Sequence, residues 1–159
     1  VEAFQDGQPQ SDDMTLIALK AKPRRMNLSF VSILDSLNEI PMSVANRCFS
    51  YGEDAARDLE LATSEILAHI REHGYGSGEG PVDLELRLET RGIELIIRER
   101  GRAFDISTLA PPRLGRVAEH GFGLHLIREV TDHFSYEPGG KDGNLWVLFR
   151  SIDHGRNQA

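Results

Sequence analysis

In the stretch SEILAHIREHGYG, Ser64 to Gly76, the residues Glu65, His69 and His73 recur at every fourth position. A helix turns by about 100° per residue, so the three side chains project from nearly one side. A carboxylate in line with imidazoles can take up a proton or hold a cation. Gly74 and Gly76 then stop the helix. Two further stretches have chemistry-bearing patterns. ERGRAFD places Glu99 two residues before Gly101 and four before Ala103. GFGL, with Gly121, Gly123 and Leu124, opens an amphipathic run.

The elements that must position these residues follow from periodicity. MNLSFVSI reads as a strand. Asp35 or Ser36 caps a helix running to about Phe49, with Leu37, Ile40, Val44 and Phe49 as its apolar side and Cys48 packing between helices. Pro41 argues for a late start to that helix, near the proline itself. A second helix spans about Asp54 to His73 on a core stripe of Leu59, Ala62, Ile66 and Ile70. GYGSGEGP is a turn.

VDLELRLE alternates, with Val82, Leu84, Leu86 and Leu88 facing one way. After a turn at Thr90 to Gly92, the next strand faces Ile93, Leu95, Ile97 and Glu99 inward. An inward carboxylate at a strand end is costly unless it finds a partner or a ligand. Residues 102–120 read as a long loop with Arg113, Arg116 and His120 available as a lid. A helix follows, with Leu124, Ile127, Val130 and Phe134 at helical spacing. SYEP and NLWVLFRSI form a closing hairpin, with Trp146 and Phe149 in the core. The order strand, helix, helix, strand, strand, loop, helix, hairpin predicts an α+β two-layer sandwich. Its sheet is mixed and mostly antiparallel, with helices on one face.

Composition bounds the function. The chain has 159 residues, a formal net charge of −7, 40% hydrophobic and 27% charged residues. With no long basic run, neither nucleic acid nor a membrane surface is the expected partner. No apolar run reaches the roughly 18 residues of a membrane span. Cys48 is the only cysteine, which excludes an internal disulfide and fits the cytoplasm. The chain begins with valine and reads as a piece of something longer. Residues 1–25 form a tail and linker, 26–152 the main domain and 153–159 a frayed end. Free N–H groups and glycines at a helix start suit phosphate oxygens. A buried carboxylate suits an exocyclic amine such as that of adenine.

These motifs resemble the GHKL ATPase superfamily, in particular its anti-sigma-factor serine kinase branch. The family's E-x-x-x-N-x-x-x-H-G is similar to EILAHIREHG. Its D-x-G-x-G-F-D is similar to ERGRAFD, and its G-x-G-L to GFGL. The resemblance covers about Met26 to Ile152. It implies that Glu65 is the general base, and that His69, His73, Glu99, Gly101, Ala103, Gly121, Gly123 and Leu124 bind ATP. His69 then stands at the Mg²⁺ ligand, where the family has asparagine. Glu99 replaces the adenine-binding aspartate, and Ala103 replaces a glycine. ATP is therefore expected to bind weakly, with little dependence on Mg²⁺.

The implied activity is serine/threonine protein kinase, acting on an anti-anti-sigma (STAS-type) protein in a bacterial partner-switching pathway that regulates transcription. The other reading is a degenerate site that serves as a protein-binding module. Such a module would sequester a sigma factor or an anti-anti-sigma protein, or regulate a fused phosphatase. Homodimerisation stays open. QSDDMTLIALK resembles the last strand of a PPM-type serine phosphatase of the stress-switch kind, with Asp12 or Asp13 at its metal-binding position.

Overall fold

The computed structural model describes residues 24–31, 36–104, 122–140 and 143–152. Strand β1 (Arg24–Val31) leads to helices α1 (Ser36–Cys48) and α2 (Glu53–His69). Strands β2 (Pro81–Leu88) and β3 (Gly92–Glu99) follow. Then come helix α3 (Phe122–Val130) and strands β4 (His133–Gly140) and β5 (Gly143–Ser151). The expected order of elements holds. The sequence-level candidates Asp12, Asp13, Arg113, Arg116, His120 and Gly121, and the phosphatase-like tail, lie outside the described residues.

Among the described residues one five-stranded sheet has the order β1-β2-β3-β5-β4, and its four pairings are all antiparallel, where a mixed, mostly antiparallel sheet was expected. Strand alternation sends Val82, Leu84, Leu86 and Leu88 to the same face as Ile93, Leu95, Ile97 and Glu99. Trp146 and Leu148 pair with Ile97 and Leu95 on that face. Together with Leu59, Ala62, Ile66 and Ile70 of the second helical run they make one core. Arg150 reaches from β5 to Asp58 of α2 (2.8 Å), which ties helix to sheet at the far end from the site. Among the described residues no helix is long and apolar enough to cross a membrane.

Several local expectations are corrected. Helix α1 starts at Ser36, five residues before Pro41, rather than at the proline. Pro41 lies inside the helix, past its first turn, and lacks the N–H that would bond back to Leu37; the buried packing of Val44 and Cys48 outweighs that loss. Phe49 leaves the apolar side and stands exposed in a short 3₁₀ turn, Phe49–Tyr51; Cys48 closes the stripe instead. Phe149 is half-buried on the outer face of the sheet, because three residues from Trp146 is the wrong parity for a strand. Phe134 belongs to β4. Helix α3 ends at Val130, where Thr131 turns its hydroxyl back to Ile127 O (2.7 Å) and Asp132 accepts the Ser151 N–H (2.7 Å). Arg24 and Arg25, read as linker, begin β1.

Candidate functional site

The three motifs meet where α2, the end of β3 and the start of α3 converge. Helix α2 does not continue regularly to His73. It ends at His69 and passes into a single π-helical turn, Ile70–Gly74, closed by Tyr75 N–H to Ile70 O (2.9 Å). The ladder survives this change, with the His69 and His73 ring centroids 4.4 Å apart. Wider turns of this kind recur at functional sites.

The π turn is fixed to the sheet by two devices. Gly101 lies so close to the Gly74 backbone that a Cβ on Gly101 would come within 2.7–2.8 Å of Gly74 main-chain atoms. Arg102 N–H also donates to Gly74 O (2.8 Å). The Tyr75 hydroxyl then bridges the strands: it donates to Pro81 O (2.7 Å) and accepts from Arg100 N–H (2.9 Å). The glycine at 101 is thus required by backbone approach.

Glu99 faces the core at 2% exposure. Its partners are internal. Oε2 accepts the Gly101 N–H and Oε1 accepts from Asn144 Nδ2 (2.7 Å). Asn144, also 2% exposed, sits directly across from Glu99 on β5. Its Nδ2 also donates to Gly101 O (3.1 Å), and its Oδ1 accepts from Gly139 N–H (2.8 Å) beside the β4 irregularity. An ionised carboxylate offers about four acceptor positions, so this one keeps capacity for a further donor.

Glu65 points at the start of α3: a Cβ on Gly123 would meet its carboxylate. A carboxylate at a helix N-terminus is electrostatically favoured. Leu124 is buried in the core, whereas Ala103 is exposed. The two thus sit differently from the carboxylates, one as an anchor of α3 and one at the surface.

His69 lies among rings. Phe104 is 4.3 Å away centroid to centroid and Trp146 5.8 Å. Phe104 stacks on Tyr136 (4.5 Å, 20° between planes), and Tyr136 contacts Trp146 (4.5 Å). His69 Nε2 is buried with no hydrogen-bond partner, a property shared among the described residues with Trp146 Nε1. His73 is nearer solvent, its Nε2 3.9 Å from Glu72 Oε2. Burial also acts on two tyrosines and the cysteine. It pushes the Tyr75 and Tyr136 hydroxyls up, and it raises the Cys48 thiol to about 12, which makes that cysteine a packing group and not a nucleophile.

Burial, and secondarily the charge of His73, lowers the His69 pKa to about 4 from 6.5. The unfolded chain therefore binds this proton at a higher pH than the folded one. Stability is complete above pH 6.5, falls as the pH drops towards 4, and levels off below. The ring edge is partly open to water, which screens the cost, so the loss is about 1–2 kcal/mol. Urea unfolding at pH 7 and pH 4.5 checks this against His69→Gln. The wild type should lose more stability than the variant, and parallel losses would mean that the ring is solvated.

Sequence reasoning singled out residues that the structure sets against one another in pairs: Glu65 with Gly123, His69 with His73, and Glu99 with Gly101. It missed Asn144 as the partner of Glu99, and it missed the Tyr75 bridge and the Phe104–Tyr136–Trp146 cluster. An inward Glu at a strand end was a signal for a partner; the register that identifies Asn144 was not legible.

The sequence pattern described as a histidine kinase-like ATPase domain matches residues 34–148. No curated protein matches the chain. Among solved structures, the histidine kinase domain from the Erythrobacter litoralis EL346 blue-light activated histidine kinase is similar. It shares 16% identity at a TM-score of 0.48, over 63% of this chain and 46% of that one. The match therefore spans less than half of the relative.

Proposed function

Because the chain belongs to the histidine kinase-like ATPase domain family, we propose that it is an ATP-binding module of the serine/threonine protein kinase type. Its partner would be an anti-anti-sigma protein in a cytoplasmic partner-switching pathway of a bacterium. The observations that support this reading are two: Glu65 lies against the start of α3 at Gly123, and Glu99 at the end of β3 is anchored by Gly101 and Asn144. Glu99 keeps an acceptor position for the adenine amine. The amino end of α3 offers N–H groups to phosphate oxygens. Glu65, held against that end, would accept the proton of a serine hydroxyl as its oxygen bonds to the γ-phosphorus and the bond to the β-phosphate oxygen breaks, leaving ADP.

Mg²⁺, which the family typically uses, does not fit the donors equally well. The helix ladder supplies an imidazole at His69, with its Nε2 buried, where a hard cation prefers oxygen. The same observation favours a second reading, in which the domain keeps the fold and holds a sigma factor or anti-anti-sigma partner without phosphorylating it. The test is incubation of the chain with radiolabelled ATP and a serine-bearing STAS-type protein of the same genome. Label on the serine, lost in Glu65→Ala while ATP binding persists, supports the kinase. Stable complex formation without label supports the binding module.

A further inference from the structure

We propose that His69 and His73 form a two-imidazole site for a borderline-soft divalent cation of the zinc, nickel and copper class. The two residues are one turn apart where α2 passes into the π turn, and that turn holds their ring centroids 4.4 Å apart with planes at 54°. A metal about 2.1 Å from an imidazole nitrogen lies roughly 3.2 Å from the ring centre. Two rings on one metal at 90–109° are then about 4.5–5.2 Å apart. The observed spacing is within a few tenths of an ångström of that range.

The chemistry points the same way. His69 Nε2 is buried without a hydrogen-bond partner, an arrangement that is costly in an ordinary protein interior and calls for a reason. His73, whose ring adjoins that of His69, is open to solvent, so a cation can reach the pair from that side chain. Among the described residues no three His, Cys, Asp or Glu side chains form a preformed cage. Water or an anionic donor therefore completes the shell, which makes the site an exchangeable one and not a structural zinc site. Imidazole ligands rank copper above nickel and zinc, and place magnesium and calcium far below. The site requires no nucleotide, so it stands or falls separately from the kinase reading.

The test is calorimetric titration of the nucleotide-free chain with zinc chloride and with nickel chloride, against His73→Ala and, as control, His133→Ala on the exposed β4. Even outer-shell partners of a bound metal change affinity by roughly 10–100-fold, so loss of one of two imidazoles should cost about tenfold or more. One cation per chain is expected for the wild type. His133→Ala should bind alike, His73→Ala about tenfold or more weaker, and a hundredfold excess of Mg²⁺ should not compete. His73 is exposed, so this variant keeps its fold, and its circular dichroism checks that. Equal affinity in His73→Ala, or no binding by the wild type below about 0.1 mM, overturns the proposal.

Discussion

Asn144→Leu lowers the unfolding free energy by about 3–5 kcal/mol, the largest stability effect expected of a single change in this site. Leucine keeps the branching of asparagine and is no smaller, so the effect is one of lost hydrogen bonds and not of a cavity. Leucine leaves Glu99 Oε1 without its donor at 2% exposure, and leaves Gly101 O and Gly139 N–H without their side-chain partner. A buried charge that loses its partner cannot recover solvation without opening the end of the β3–β5 pair. Urea unfolding at pH 7 reads the change. A loss under about 1 kcal/mol would mean that Glu99 reaches water, and would remove the argument that it is held in place for a ligand.

The fold was legible because its strands alternate cleanly. VDLELRLE and IELIIRE state their inward faces in period two, and Leu59, Ala62, Ile66 and Ile70 state the helix in period 3.6. The errors lie where a local rule competes with packing. Pro41 sits inside α1 at the cost of one backbone bond, because Val44 and Cys48 beyond it are fully buried. Phe134 extends the helical spacing in sequence, but the Thr131 hydroxyl and the Asp132 bonds to Ser151 end α3 before it. The site divides the same way. The residue types of Glu65, His69, His73 and Glu99, and their spacing, show in the chain. The pairing of Glu99 with Asn144, 45 residues away, depends on strand register. The π turn that keeps His73 against His69 depends on Gly74 and Gly101 meeting backbone to backbone. Neither leaves a local signal.

Base discrimination is the second large effect. Adenine presents an amine at the position where guanine presents a carbonyl, and an ionised carboxylate only accepts. A site built to receive that amine sets an acceptor against an acceptor when guanine enters, and the mismatch is worth at least about a hundredfold in affinity. Glu99 is fixed on both oxygens by Gly101 and Asn144, so it cannot swing aside to relieve the clash. The most direct test of the account is therefore calorimetric titration of the chain with ATP and with GTP under identical conditions. One ATP is expected to bind per chain, with GTP at least about a hundredfold weaker. Equal affinity for the two, or no binding of ATP at millimolar concentration, would contradict it.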